Sequence, residues 1–358
     1  MRVLQIVHGP EPGGVRTLAD MIGEGLVARG FEIETAYLFE TAQPRLLAKL
    51  LGALRVASRI LVGSYDGLLA YQASASILVG VAGWLARCPH RIVHQTALPA
   101  AVGAPQRWAD QLVGTLGFYT ANIANSASTR AAFAHYPARY RGAMVLIEHG
   151  VDLPQPTRTR AATLAAFGIP DDLRIALNAG RLTEQKNQGV LIEALTRLPA
   201  IRLVIAGEGP LRRRYESEAE RSGVADRVHL LGEVSRHDVA DLLAACDVFV
   251  FPSVWETFGI AAVEAVLASV PIIASDIAVL REVLSIEGAQ ATFVAPDDAE
   301  RWAGAIASVP AGGIRAKKGV RATARHYSVT RMIDAYAAIF EKSGTGSSRI
   351  QAPVPRSD

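Results

Sequence analysis

Short apolar runs alternate with longer segments of helical composition along the whole chain. The apolar runs are rich in Val, Ile, Leu and Ala and show little alternation with polar residues. Such runs are typical of strands in a parallel sheet that is covered by helices on both faces. In the first half of the chain they predict strands at residues 3–7, 33–38, 67–71, 91–94, 121–125 and 144–148.

The second half repeats this design, with predicted strands at 175–178, 202–206, 228–231, 247–251, 271–274 and 291–294. Between the halves, residues 152–157 are polar and Pro-rich, which is typical of a linker. We therefore predict an α/β protein of two tandem Rossmann-like domains. The predicted divisions are a first domain at 1–153, a second at 154–328, a last helix at 329–342 and a disordered tail at 343–358.

Composition agrees with two globular domains. A chain of 358 residues, half of them hydrophobic and 20% charged, is long enough for two separate cores. Cys88 and Cys246 both lie in apolar segments, so neither a disulfide framework nor a thiolate metal site is predicted, and a reducing cytoplasm fits. The histidines show no zinc spacing, and we expect no metal site. Residues 67–86 are uncharged, but they divide into a strand and a buried helix rather than forming a membrane span.

Two carboxylates follow the predicted strand 247–251. Glu256 lies in the loop after the strand, and Glu264 lies in the helical segment that begins at Phe258. Ligands of open parallel sheets bind at the carboxyl ends of strands, so both side chains are candidates for ligand contacts. The ordinary alternative is one charge at a helix start and one exposed helix residue.

Two cations occupy the same kind of position about seventy residues earlier. Arg181 and Lys186 follow the strand 175–178 and precede the helical segment 189–198. A helix N-terminus attracts anions, and two added cations suit a diphosphate, although ordinary surface cations remain the alternative. Because carboxylates bind hydroxyls and cations bind phosphates, the two loops together predict a site for a nucleotide-sugar.

Arg181, Lys186 and the segment from Glu256 to Glu264 resemble the signature of family 4 glycosyltransferases, retaining enzymes of the GT-B fold. Residues 149–152, 206–210 and 231–234 extend the resemblance. It implies transfer of a sugar from a nucleotide-diphosphate donor, expected to be UDP-linked, to an acceptor hydroxyl, with no metal or other cofactor. It also implies a role in cell-envelope, polysaccharide or glycolipid biosynthesis, and a last helix that crosses back to the first domain.

The resemblance implies a role for each motif residue. Arg181 and Lys186 would bind the diphosphate and stabilise it as the leaving group. Glu256 would face the donor sugar, and Glu264 would accept hydrogen bonds from the ribose diol. Backbone N–H groups near the start of the following helix would contact sugar and phosphate oxygens, namely those of Phe258, Gly259 and Ile260.

Four further positions are less specific. His94 ends the strand 91–94, where the family commonly has a histidine that contacts the donor sugar, but a structural histidine is the alternative. Gly13 and Gly14 lie in the first strand-to-helix loop, whose backbone either approaches a phosphate or forms a tight turn. Glu208 and Val234 follow strands of the second domain, where the family places the nucleotide base.

The segment 45–59 carries Arg45, Lys49, Arg55 and Arg59 on about one third of a predicted helix, with Leu and Ala opposite. Either this helix rests on anionic lipid and delivers a lipid-linked acceptor, or it covers the core and its basic face is exposed to water. We expect a glycan or lipid-linked acceptor and a cytoplasmic location, with peripheral attachment to the inner face of the membrane as an option. Nucleic acid is not an expected partner, because the cations are dispersed without an aromatic platform.

Two departures from the family leave the transferred sugar open. His149 stands where the family often has Asn, and residues 276–282 lack a common Gly-Gly pair. Alternative functions are another GT-B enzyme, such as a sugar-nucleotide epimerase, or a catalytically silent GT-B binding subunit. The complete set of Arg181, Lys186, Glu256 and Glu264 favours an active transferase.

Overall fold

The computed structural model describes residues 1–10, 14–40, 45–286, 289, 291–310, 312 and 320–341. The chain divides into two compact units. The first contains Met1–Gly150 and the residues from Val329 onward, and the second contains Val151–Ser328. The second unit is therefore an insertion in the chain of the first. The tail predicted at 343–358 lies outside the described residues.

The first unit contains a sheet of six parallel strands in the order β2-β1-β3-β4-β5-β6. The strands are β1 (Arg2–Val7), β2 (Glu32–Tyr37), β3 (Gly67–Tyr71), β4 (His90–His94), β5 (Ala121–Ala124) and β6 (Met144–Leu146). The helices between them are α1 (Gly14–Val27), α2 (Leu46–Val62), α3 (Ala73–Leu85), α4 (Ala104–Thr115), α5 (Ala127–Ala131) and α6 (Ala138–Gly142).

Helices cover both faces of this sheet, which explains its apolar strands. All five residues of β3 are buried. On one face, α2, α3 and α4 lie side by side over a core that includes Leu4, Val56 and Val79. On the other face, α1 contributes Ile22 to a second core that includes Val3 of β1. The uncharged segment 67–86 forms β3 and α3, as predicted, and none of the described helices combines the length and apolarity that crossing a membrane requires.

The second unit contains another sheet of six parallel strands, in the order β12-β11-β10-β7-β8-β9. Its strands are β7 (Arg174–Ala179), β8 (Ile201–Ala206), β9 (Val228–Gly232), β10 (Val248–Phe251), β11 (Ile272–Ser275) and β12 (Ala291–Val294). Its helices are α7 (Arg160–Ala166), α8 (Gly189–Leu195), α9 (Arg212–Arg221), α10 (Arg236–Ala245), α11 (Ile260–Leu267), α12 (Ala278–Val283), α13 (Ala299–Ser308) and α14 (Val320–His326).

The last described helix, α15 (Val329–Glu341), returns to the first unit and packs on α1. Ile333 lies so close to Gly25 that a Cβ on this glycine would be 2.6 Å from the Ile333 side chain. Arg29 and Asp334 form an ion pair at 2.6 Å on the same contact. The predicted fold class, two Rossmann-like domains with a last helix on the first, is confirmed.

Helix α2 packs on the sheet with only part of its apolar surface. Its buried residues are Gly52, Val56 and Ile60, whereas its N-terminal leucines are exposed. Gly52 explains this rotation, because a Cβ there would be 2.2 Å from the carbonyl oxygen of Leu38. Only a residue without a side chain can approach the backbone so closely. Helix α2 therefore covers the core through Gly52, Val56 and Ile60, and its N-terminal leucines take no part in that contact.

Candidate active site

The second sheet reverses its strand order between β7 and β10, which are neighbours. From β7 the chain proceeds through β8 to β9 at one edge, and from β10 it proceeds through β11 to β12 at the other. A crevice forms at the carboxyl ends of the strands where the order reverses. The loop with Arg181 and Lys186 follows β7, and the loop with Glu256 follows β10. Both predicted loops therefore lie at this point of the sheet.

An ion pair joins the two loops. The Nζ atom of Lys186 donates to Oε1 of Glu256, and their side chains are 19% and 8% exposed. The same Nζ atom lies 5.0 Å from the centroid of the Phe251 ring, within the range of a cation–π contact. The structure thus joins directly two residues to which the resemblance assigns separate parts of the donor.

Amide side chains and backbone groups hold the same two loops together. Gln185 Nε2 donates to the carbonyl oxygen of Trp255 at 3.0 Å, and the Val254 N–H donates to the carbonyl oxygen of Gln185 at 2.9 Å. Asn187 Nδ2 donates to the carbonyl oxygen of Pro252, directly after β10, at 3.3 Å and to that of Pro296, after β12, at 2.7 Å. Asn187 has a φ of 51°, a left-handed conformation in which Asn is enriched. The ion pair therefore joins two loops that hydrogen bonds already hold together.

Hydrogen bonds from buried side chains fix the backbone at Arg181. The buried Gln188 donates from Nε2 to the carbonyl oxygen of Arg181 at 3.0 Å, and the Tyr215 hydroxyl donates to Gln188 Oε1 at 3.3 Å. A Cβ on Gly207 would be 2.1 Å from the carbonyl oxygen of Gly180, so the loops after β7 and β8 meet backbone to backbone. The Arg181 side chain is exposed and forms no ion pair with a described residue. Its charge is available to a ligand.

Helix α11 begins beside the Glu256 loop, and Gly259 is its N-cap residue, with φ 94° and ψ 55°. This residue has no side chain to cap the helix, so the first N–H groups receive no acceptor from it. A Cβ there would lie 2.9 Å from Cδ2 of Leu280. The Phe258 ring is buried edge-on against Tyr327 at 5.1 Å, so it serves the core. Ile260, the first helical residue, is partly buried.

Glu264 lies in the second turn of α11 and is partly buried. Burial raises the pKa of its carboxyl group to about 6, and the positive charge of Arg236 opposes that rise. The side chain is therefore a carboxylate at neutral pH and becomes neutral in mildly acidic solution. A carboxylate can accept two hydroxyl hydrogen bonds, which the ribose diol requires.

The two candidates for base contacts differ in their surroundings. Glu208 is exposed and accepts hydrogen bonds from Arg212 Nη1 at 2.8 Å and from the Gly209 N–H at 3.1 Å. Its carbonyl oxygen accepts from the Leu182 N–H at 3.1 Å, which links it to the loop after β7. Val234 is partly buried against the core.

His94 is the last residue of β4 in the first unit and is 1% exposed. Neither of its ring nitrogens has a hydrogen-bond partner among the described residues. Its ring stacks on His149 at 5.3 Å, and burial holds the pKa of His94 well below its usual range, so the ring is neutral. Burial also lowers the pKa of His149 to about 3, and Nε2 of His149 lies 3.0 Å from Nδ2 of Asn125. A buried polar group without a partner is uncommon and calls for an explanation, such as a ligand.

Of the two glycines predicted in the first strand-to-helix loop, the structure describes Gly14. Gly14 begins α1, and a Cβ there would meet nothing within 4 Å. Gly13 lies outside the described residues. Among the residues that the structure describes, no group of three or more His, Cys, Asp or Glu side chains is placed to hold a metal ion.

Sequence reasoning missed the amides that support the loops. No role is predicted from the sequence for Gln185, Asn187 and Gln188, or for Asn178, which donates to the carbonyl oxygen of Val250 at 2.8 Å. The available signal was a cluster of amide residues directly after an apolar strand, where buried backbone groups need partners.

Comparison with known proteins gives consistent matches. Residues 160–325 match the family model described as "Glycosyl transferases group 1". The D-inositol 3-phosphate glycosyltransferase of Xylanimonas cellulosilytica is 31% identical over 328 residues, which cover 82% of this chain and 76% of that protein.

Solved structures share the fold. HepE from Anabaena, crystallised with UDP-glucose, superposes with a TM-score of 0.82 at 20% identity, covering 95% of this chain and 99% of that one. WaaG, a glycosyltransferase involved in lipopolysaccharide biosynthesis, gives a TM-score of 0.68 at 17% identity and covers 95% and 100%. These likenesses confirm the GT-B fold that the resemblance implied.

Proposed function

This chain belongs to the group 1 glycosyltransferases, and we propose from that premise that it transfers a sugar from a UDP-linked donor to an acceptor hydroxyl with retention at the anomeric carbon. The observation that carries the proposal is the loop pair after β7 and β10. It sets Lys186 against Glu256, with Arg181 on the first of the two loops, at the point where the strand order reverses.

Each part of the donor has a partner in the second unit. Arg181, Lys186 and the N-terminus of α11, at Gly259 and Ile260 after Phe258, supply positive charge and N–H donors for the diphosphate. Glu264 accepts from the ribose hydroxyls, and the base lies near Glu208 and Val234. The choice of UDP is supported by HepE, whose crystals contain UDP-glucose.

The ion pair prepares the site for a donor. Without a ligand, Lys186 neutralises Glu256, so neither charge is buried alone. When a diphosphate binds, Lys186 can contact a phosphate oxygen and keep its contact with Oε1 of Glu256. Oε2 of Glu256 then accepts a hydrogen bond from a sugar hydroxyl. One side chain thereby aligns the leaving group and the sugar with each other.

The reaction breaks the bond between the anomeric carbon and the diphosphate and forms one to the acceptor oxygen. Negative charge grows on the leaving phosphate, so Arg181 and Lys186 stabilise the transition state more than the ground state. We propose that a phosphate oxygen takes the acceptor proton on the same face of the sugar, which requires neither a metal nor a protein nucleophile. For His94 we propose contact with the donor sugar as a neutral hydrogen-bonding group.

The acceptor that we propose is a glycan or a lipid-linked glycan of the cell envelope, used in polysaccharide or glycolipid biosynthesis. This part is supported by the named process of WaaG and by the basic, leucine-rich helix α2. The enzyme would then act in the cytoplasm at the inner face of the membrane.

Calorimetry with UDP, GDP and ADP in the presence of EDTA tests the donor site. We expect UDP to bind the wild type and Lys186→Ala to weaken binding at least about tenfold, because a charge-assisted phosphate contact is lost. Arg197→Ala, which removes an exposed cation after α8, is the matched control and should bind UDP normally.

Product analysis by NMR tests the reaction. Transfer from an α-linked UDP-sugar should give an α-linked product. Failure of every nucleotide to bind contradicts the donor site, and conversion of a UDP-sugar to its epimer without an acceptor would identify an epimerase instead.

A further inference from the structure

Helix α2 presents leucines to solvent along its N-terminal half. Leu47, Leu50, Leu51 and Leu54 are between 55% and 67% exposed. Their spacing of three and four residues places them on one stripe of the helix. This stripe is distinct from the buried residues Gly52, Val56 and Ile60 that fix α2 to the sheet.

The neighbouring helices continue this surface. On α3, Trp84 and Leu85 are 51% and 58% exposed, and on α4, Trp108 and Leu112 are 65% and 60% exposed. Helix α3 lies between α2 and α4 on the same face of the sheet. With Leu116, which directly follows α4, these side chains form what we call the outer apolar face: Leu47, Leu50, Leu51, Leu54, Trp84, Leu85, Trp108, Leu112 and Leu116.

A face of this composition is unusual in water. Soluble proteins seldom expose contiguous apolar patches larger than a few hundred Å², and larger ones mark interaction sites. Tryptophan is enriched where a protein meets the boundary between lipid headgroups and acyl chains. Leucine stripes on surface helices bury their side chains in the same boundary.

The net charge near the outer apolar face indicates what kind of partner it binds. Residues 45–147 contain ten Arg or Lys residues and only two acidic residues, Asp66 and Asp110. Asp110 is buried and accepts from Tyr119 at 2.8 Å, and Asp66 accepts from the backbone N–H of Arg2 at 2.7 Å.

Two cations near the outer apolar face are not neutralised by an acidic residue that the structure describes. Lys49 and Arg87 are exposed and form no ion pair with a described residue. Two copies of a face with this charge would repel each other, whereas an anionic phospholipid surface attracts it. A bilayer fits both the apolar and the charged groups.

We propose that the outer apolar face docks on an anionic phospholipid bilayer, with its leucines and tryptophans entering the headgroup boundary. Lys49 and Arg87 lie against lipid phosphates. This contact differs from a purely basic one, because Arg55 and Arg59 are engaged by Glu40 and Glu34 at 2.6 Å. The docking rests on the proposed function in one respect: a lipid-linked acceptor gives it a catalytic purpose.

Vesicle flotation of the full chain tests the docking without any donor or acceptor. Vesicles of phosphatidylcholine alone are compared with vesicles containing 30% phosphatidylglycerol. We expect the anionic vesicles to bind at least about tenfold more tightly. Leu47→Gln/Leu51→Gln/Leu54→Gln should lower that binding at least about tenfold, because three buried apolar contacts are lost. Val27→Gln, at an exposed apolar position on α1, is the control and should bind as the wild type does.

Tryptophan fluorescence locates the contact. Lipids brominated on their acyl chains should quench the wild type, and Trp84→Phe and Trp108→Phe should each remove part of that quenching. Equal binding of the triple-Gln variant, or no quenching, overturns the proposal. Lipid-free dimerisation that the triple-Gln variant abolishes would also overturn it, in favour of a second copy of the chain.

Measuring UDP binding distinguishes failure of the membrane docking from failure of the proposed function. The triple-Gln variant should bind UDP as the wild type does, because the donor residues lie in the second unit. Vesicle binding without UDP binding leaves the docking intact and rejects the donor site. UDP binding without vesicle binding supports the donor site and rejects the docking.

Discussion

Lys186 and Glu256 form an ion pair across 70 residues of sequence, and it joins the loops after the two strands where the second sheet reverses its order. Hydrogen bonds from Gln185 and Asn187 hold those loops in place. In the proposed reaction, this single contact would therefore position both the cation that binds the diphosphate and the carboxylate that binds the donor sugar.

Removal of one partner of this pair should affect both stability and binding. Lys186→Ala leaves the Glu256 carboxylate buried without its cation, and we expect a loss of roughly 3 kcal/mol in the free energy of unfolding. Urea denaturation measures this loss. The double variant Lys186→Met/Glu256→Gln removes both charges and should regain most of the stability without regaining UDP affinity. Equal stability of the single and double variants would contradict the coupling.

Glu264 should make UDP binding depend on pH. Its pKa of about 6 means that at pH 5 only about one tenth of the molecules carry the carboxylate, so UDP affinity should fall about tenfold between pH 7.5 and 5. Calorimetry over this range measures the effect. Glu264→Gln should bind UDP weakly at every pH, whereas Glu193→Gln, at an exposed position of α8, should keep the wild-type profile.

The Glu264 carboxylate should lower the free energy of unfolding at neutral pH, although it should favour UDP binding there. Folding raises the pKa of Glu264 from 4.5 to about 6, so the folded state favours the neutral form. Its carboxylate therefore lowers the free energy of unfolding above pH 6, and this cost disappears as the pH falls towards 4.5. At pH 7.5, Glu264→Gln should be more stable by about 2 kcal/mol. Lower stability of this variant would show that the carboxylate is satisfied in the folded protein.

Gly259 should resist substitution because of its backbone and its surroundings. Its φ of 94° is unfavourable for an L residue, and an added Cβ would press on Leu280 at 2.9 Å. We expect Gly259→Ala to cost about 1–2 kcal/mol and to weaken UDP binding. Gly304→Ala in α13 is the control, because its Cβ would meet nothing within 4 Å, and it should stabilise the helix by about 0.5–1 kcal/mol.

His94 should be needed for transfer and dispensable for folding. Its buried ring has no described hydrogen-bond partner, so His94→Phe removes no described hydrogen bond and should leave the melting temperature unchanged or higher. UDP affinity should also persist, because the donor residues lie in the second unit. We expect kcat to fall about 10²-fold. Unchanged kcat would assign His94 to the core alone.

The strands could be predicted from sequence because burial on both faces makes them continuously apolar. The predicted strand at 291–294 coincides with β12, and that at 67–71 with β3. The pairing of Lys186 with Glu256 could not be predicted, because it depends on which strands are neighbours in the sheet. The rotation of α2 was also hidden, because its leucines look like core residues until the contact of Gly52 with Leu38 is known.

The return of α15 to the first unit sets an order for synthesis and folding. Ile333, Tyr336 and Phe340 cover the α1 face of the first sheet, yet a ribosome makes them only after the entire second unit. During that interval the nascent first sheet keeps an apolar surface open, while the second unit can fold as a continuous segment. Chains that terminate before α15 would therefore keep an incomplete first unit with an exposed apolar surface. Packing of α15 on that surface would be the last folding step, and it would protect the protein from aggregation.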